Sequence, residues 1–158
     1  SDCADAPIIS VTRNHYLSAM KNTYFESIER LNDGQTLVLQ DLIGELSFND
    51  KGLIPVITQD ATSKDVLMMA WRNQESIGQT LSTGRMTYWT RSRAQFWIKG
   101  ETSGNIQSLV SMRIDCDGDA LLCSVNQTGG ACHTGRDSCF YFEVDSAKKL
   151  VRVIGSAG

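Results

Sequence analysis

The side chains able to do chemistry crowd between Asp115 and Cys139. The run Asp115-Cys116-Asp117-Gly118-Asp119 is the densest of them. If it is extended, alternation puts the three aspartates on one face and Cys116 on the other. Carboxylate oxygens suit a hard cation such as magnesium or calcium, whereas a thiolate suits zinc, so this short stretch could feed two different metals. An EF-hand would need glycine and glutamate where Ala120 and Asn126 stand, and is excluded. A solvated acidic turn is the plain alternative.

Cys132 and His133 are followed by Cys139 within the glycine-rich segment TGGACHTGRDSC. Two thiols on a flexible loop can converge on one ion, although the spacing matches no standard zinc-finger pattern. With Cys116 they make three thiolates. Catalytic zinc typically keeps three protein ligands and leaves the fourth position to water, whose pKa then falls to about 7. His133 could be a fourth ligand, a general base or a polar loop residue, and its ordinary titration range suits proton transfer at neutral pH. The alternative for Cys132 and Cys139 is that of small buried apolar residues. Cys123, inside the apolar run ALLCSV, reads as core; Cys3 and His15 have no such company.

A third signal runs from Arg85 to Gly104, RMTYWTRSRAQFWIKGETSG. Arg85, Arg91, Arg93 and Lys99 face only Glu101 there, a local positive surplus in an acidic protein. Tyr88, Trp89, Phe96 and Trp97 offer faces on which a base could stack, while Ser92, Thr102 and Ser103 could donate hydrogen bonds to phosphate. A phosphorylated, base-containing small molecule fits this composition. A hairpin with an aromatic core face and a solvated basic face is the bland counterpart.

The elements that must position these groups follow from periodicity. Residues 15–32 place Tyr16, Met20, Tyr24, Ile28 and Leu31 at helical spacing, with Asn14 as N-cap and Asp33-Gly34 as the stop. Strands are expected at Leu53 to Gln59 and Val66 to Trp71, a helix at Asn73 to Thr83 ended by Gly84, then short strands at Met86 to Thr90, Gln95 to Ile98, Ile106 to Asp115, Ala120 to Gln127 and Cys139 to Val144. The pattern gives an α+β domain, mainly antiparallel β-sheet with a few helices. At 158 residues and 41% hydrophobic the chain can bury its own core. A net charge of −3 excludes a general nucleic-acid binder. No apolar window is long enough to cross a membrane, and the start carries no basic region followed by an apolar stretch, so the expected location is cytoplasmic.

Taken together, WIKGETSG at 97–104, DCDGDA at 115–120 and QTGGACHTGRDSCFY at 127–141 closely resemble phosphoribosyl-AMP cyclohydrolase. LIPVITQDATSKDVLMMAWRN at 53–73 and YWTRSR at 88–93 agree, so the likeness runs from about Phe48 to Phe142. The resemblance implies the third step of histidine biosynthesis, hydrolytic opening of the adenine ring of 1-(5-phosphoribosyl)-AMP between N1 and C6. It implies an intertwined homodimer with zinc shared between subunits, Cys116 of one chain joining Cys132 and Cys139 of the other. Asp115, Asp117 and Asp119 match the family's magnesium ligands, and His133 a histidine implicated in catalysis. Arg91, Arg93, Lys99 and Ser103 are then expected on the substrate's phosphates.

Residues 1–47 read as a helical extension and 48–158 as the single catalytic domain, without the pyrophosphohydrolase domain that some relatives carry. Two other readings compete. A nucleobase deaminase also drives zinc-activated water onto a base, but needs an H-x-E or C-x-E with P-C-x-x-C, which this chain lacks. A non-catalytic protein in which zinc staples a dimer would fill the fourth coordination position with protein.

Overall fold

The structure, a computed structural model, describes residues 8–9 and 22–158. Cys3, Asn14, His15, Tyr16 and Met20 therefore lie outside the described residues. Near the start, β1 (Ile8–Ile9) pairs in parallel with β2 (Thr36–Leu37), with the short helix α1 (Thr23–Ile28) between them in the chain and α2 (Leu39–Gly44) after them. Asn22, in extended backbone, caps α1 by accepting from the Tyr24 amide. Of the helix expected over 15–32, residues 15–21 lie outside the described residues, and the described part is helical only from Thr23 to Ile28, after the Asn22 cap.

The body is a six-stranded sheet in the order β6-β5-β4-β3-β8-β7. Its members are β3 (Ile54–Asp60), β4 (Val66–Arg72), β5 (Thr87–Thr90), β6 (Gln95–Ile98), β7 (Gln107–Ile114) and β8 (Leu121–Gln127). Helix α3 (Gln74–Thr83) bridges β4 and β5. It begins in a capping box between Asn73 and Ser76, with Asn73 the cap and not the first helical residue, and ends at Gly84 as the sequence pattern implied. Every neighbouring pair is antiparallel except β3 with β8, a parallel pair that periodicity alone did not reveal. A separate hairpin, β9 (Phe142–Asp145) with β10 (Leu150–Val153), closes the chain. The strand expected at Cys139 begins only at Phe142, since the Ser138 hydroxyl accepts the Phe140 amide and holds the preceding residues in a turn. Among the described residues no helix is long and apolar enough to cross a membrane.

Alternation explains the core. Ile54, Val56 and Thr58 of β3 meet Leu121, Cys123 and Val125 of β8, all essentially buried, and Ile77 of α3 closes over them. The polar members of this core are satisfied in a chain. The Thr58 hydroxyl donates to the Tyr88 oxygen, the Tyr88 hydroxyl donates to Gln107 Oε1, and Gln107 Nε2 donates to Gln127 Oε1. Burial pushes the Tyr88 phenol well above its ordinary range, keeping it neutral and a donor.

Arg72 is the odd member. Fully buried, it donates to the Thr87 carbonyl, to Cys123 Sγ at 3.4 Å and to Met86 Sδ at 2.9 Å, and its guanidinium lies 5.1 Å from the Tyr88 ring centre. None of these partners is a carboxylate, so the desolvation of its charge is poorly repaid. Arg72→Met should leave stability unchanged or raise it by about 1 to 2 kcal/mol, as apolar replacement of buried charge often does. Urea unfolding checks this; a loss beyond about 2 kcal/mol would show the guanidinium to be a net stabiliser.

Candidate active site

The loop between β8 and β9 is folded on itself before it meets the sheet. The Cys132 amide donates to the Arg136 carbonyl, the Gly135 amide to the Cys132 carbonyl, and the Ala131 amide to the Asp137 carbonyl. It then docks on the first residues of β4, Val66 and Leu67. The Cys139 amide donates to the Leu67 carbonyl at 2.7 Å and the Ser138 hydroxyl to the Val66 carbonyl at 2.7 Å. These bonds occupy backbone acceptors that a neighbouring strand would otherwise take.

This folding brings Cys132 and Cys139 close enough that each sulfur shifts the titration of the other. The Thr134 hydroxyl donates to Cys132 Sγ at 3.1 Å, and that bond, with the Thr134 amide, holds the Cys132 thiol below its ordinary pKa. Partial burial, reinforced by the neighbouring Cys132 sulfur, pushes Cys139 up to about 11. The two sulfurs are thus pushed in opposite directions, Cys132 down and Cys139 up. His133 Nδ1 lies 4.0 Å from Cys132 Sγ. Lys99, 8% exposed, donates from Nζ to the Ala131 carbonyl at 2.7 Å and sits 5.4 Å from the Trp97 ring centre. Burial pushes its pKa down against the pull of both sulfurs. The ammonium expected on a phosphate is therefore engaged with the cysteine loop.

Asp115 to Asp119 does not continue β7. It forms the turn joining β7 to β8, with the Gly118 amide donating to the Asp115 carbonyl and the Asp115 amide to the Ala120 carbonyl. Strand alternation does not apply to a turn, so the aspartates do not share a face by that rule. Asp115 Oδ1 instead accepts the amides of Asp119 and Ala120. Burial pushes its carboxyl up, but the hydrogen bonds from Asp119, Ala120 and Gly118 outweigh this and hold it below the usual carboxylate range. Asp119, hydrogen-bonded to Asp115, is raised. Among the described residues no three His, Cys, Asp or Glu side chains stand close enough to hold one ion. Cys116 is accordingly not joined to Cys132 and Cys139 within one chain.

The segment before Phe48 buttresses this turn. The Ser47 amide donates to the Gly118 carbonyl at 2.7 Å, the Ser47 hydroxyl to the Asp117 carbonyl, and Asn22 Nδ2 to the Ser47 oxygen and the Glu45 carbonyl. Gly118 has φ 69°, and a Cβ there would run into the Phe25 ring. Cys116, Asp117 and Asp119 line a cleft of about 520 Å³ together with Glu26 of α1 and Glu29 just after it.

A second cleft, of about 680 Å³, opens between β4 and the β5–β6 hairpin. Met69, Trp71, Trp89, Thr90, Arg91 and Trp97 line it, and the Arg91 guanidinium lies over Trp71 at 4.9 Å. Ser103 lies beside a smaller recess running from Trp97 through Lys99, while Arg93, at the β5–β6 turn, is exposed. The sequence did not single out Phe25, Trp71, Thr90 or Thr134. Only Thr134 left a signal, a hydroxyl two positions after a candidate ligand cysteine.

Comparison with known proteins adds the following. The family model for phosphoribosyl-AMP cyclohydrolase matches residues 68–141. A phosphoribosyl-AMP cyclohydrolase of Roseobacter denitrificans is 65% identical over 96 residues, 61% of this chain and 75% of that protein. One from Alcanivorax borkumensis is 52% identical over 122 residues, 77% of this chain and 86% of its own length. One from Paracoccus denitrificans is 56% identical over 106 residues, covering 67% and 88%.

Gly118→Ala should cost about 2 to 4 kcal/mol, from left-handed backbone and overpacking together. Because the added methyl meets Phe25, the double variant Phe25→Ala/Gly118→Ala should lose less than the sum of the single losses in urea unfolding.

Proposed function

The chain belongs to the phosphoribosyl-AMP cyclohydrolase family, and from that membership we propose how its residues carry out the reaction. It is an enzyme of this type, adding water across N1 and C6 of the adenine ring of 1-(5-phosphoribosyl)-AMP in the third step of histidine biosynthesis. Substitution at N1 leaves the ring electron-poor at C6, the carbon that must accept the water oxygen. As the C–O bond forms, water loses its first proton; as N1–C6 breaks, the resulting hydroxyl loses the second, N1 gains a proton and C6 becomes the carboxamide carbon.

His133 takes the proton from water or delivers it to N1, general acid-base help that typically contributes about 10²- to 10⁴-fold. Its place next to Cys132 supports this role. The observation that carries the reading is the paired thiols of Cys132 and Cys139, with the Thr134 hydroxyl donating to the first. Two sulfurs prepared in this way fit a zinc ion, for which thiolates are preferred ligands. When bound, zinc would supply a Lewis acid able to make water a nucleophile near neutral pH.

A third ligand, Cys116, would come from a second copy of the chain, making the enzyme a homodimer with two equivalent sites. The hairpin β9–β10 supports an assembly of that kind, for Phe142, Val144, Leu150, Val151 and Val153 are each more than half exposed. Of the expected magnesium ligands Asp115, Asp117 and Asp119, the last two line the cleft and would offer carboxylate oxygens to the ion with water completing its shell, while Asp115 holds the turn. Arg91, Arg93 and Ser103 would take the phosphates, with Lys99 held one step back against the cysteine loop.

Cys132→Ser should abolish bound zinc in metal analysis and reduce turnover by on the order of a thousandfold, since the nucleophile is lost with the ion. Cys123→Ser should retain zinc. Thr134→Val removes only the hydrogen bond to the Cys132 sulfur and should weaken zinc about 10- to 100-fold in a chelator competition. Full zinc and turnover in Cys132→Ser would refute the assignment.

A further inference from the structure

Strands β4 and β5 meet at a single residue pair, Trp71 with Trp89, and diverge on one side of it. There β4 gives its backbone to the cysteine loop, through Leu67 and Cys139, instead of to β5. The gap so left is the tryptophan-lined cleft. Two features of it call for a ligand. The Thr90 hydroxyl is buried without a hydrogen-bond partner, a costly state unless something bound there satisfies it. Trp71, meanwhile, carries a planar cation, the Arg91 guanidinium, at 4.9 Å.

We propose that this cleft seats the purine base of the substrate, stacked as an N1-substituted cation on Trp71 where the Arg91 guanidinium now lies, with the Thr90 hydroxyl bonded to the ring edge. The inference rests on the ring-opening activity described above. Substitution at N1 turns adenine into a flat, delocalised cation, which an indole face prefers over the neutral base. Displaced from Trp71, the Arg91 guanidinium is free to pair with a phosphate of the same molecule. The cleft also leads to the chemistry, for Trp97 lines it and neighbours Lys99, which in turn borders the Cys132 and Cys139 sulfurs.

The chain has three tryptophans and all of them line this cleft, so its intrinsic emission reports on it directly. Titrating the protein with 1-methyladenosine 5′-monophosphate, AMP and ribose 5-phosphate tests the idea without turnover. The methylated nucleotide should change the emission saturably and bind about tenfold more tightly than AMP, as a cation–π preference implies. Ribose 5-phosphate should leave the emission unchanged. Thr90→Val, nearly isosteric, and Trp71→Leu should each weaken the nucleotide by about tenfold and raise KM far more than they lower kcat. A protein that opens the ring while its tryptophans stay silent, or whose Thr90→Val and Trp71→Leu variants bind as wild type, overturns the base seat and leaves the activity standing. A protein that shows the emission change but no ring opening supports the seat and contradicts the activity.

Discussion

The open edge of β4 is the constraint on which the site depends. A strand that pairs with its neighbour at Trp71 alone must satisfy its remaining carbonyls elsewhere, and it does so with the Cys139 amide and the Ser138 hydroxyl. One arrangement has three results. It fixes Cys139 beside Cys132, it brings the loop carbonyl of Ala131 against Lys99, and it leaves a slot lined by tryptophans between the diverging strands. Had β4 and β5 zipped along their full length, there would be neither a dock for the loop nor a cleft beside it.

The electrostatics of the loop follow from that docking. Two sulfurs this close cannot both ionise cheaply, so the hydroxyl of Thr134 and the ammonium of Lys99 are placed to favour negative charge on the pair. Lys99 is nearly buried and already hydrogen-bonded, which suits a fixed counter-charge better than a mobile phosphate ligand. The turn from Asp115 to Asp119 is held by Ser47 and Phe25 of the segment before Phe48. That segment read as an extension of open purpose. Its described part is the floor under Cys116 and the aspartates.

Much of this was legible in the residues. Strand patterns located the six strands of the main sheet to within a residue or so, and the helical run from Asn73 to Thr83 with its Gly84 stop bounded α3 to within one residue. Motif spacing marked the thiols and the basic, aromatic hairpin. What failed did so for physical reasons. The parallel contact of β3 with β8 joins residues far apart in sequence, and nothing local encodes it. The aspartate run reads as a strand by alternation, but a glycine with positive φ and the amide-accepting Asp115 side chain make it a turn. Among the described residues helix α1 starts after the Asn22 cap and ends at Ile28, short of the expected Asn32. The Trp71 slot escaped notice because it arises from a missing strand pairing, which no single segment carries.

The central claim is that each site is completed by a sulfur from a second copy, and complementation between two inactive variants tests it most directly. Cys116→Ser and Cys132→Ser proteins, each without turnover, would be mixed, unfolded and refolded together with zinc. If the site is shared across a symmetric pair, half of the dimers carry one intact site of two, and about a quarter of wild-type activity should return. A mixture as inactive as its two parents, under conditions in which wild-type protein regains full activity, would contradict the shared site.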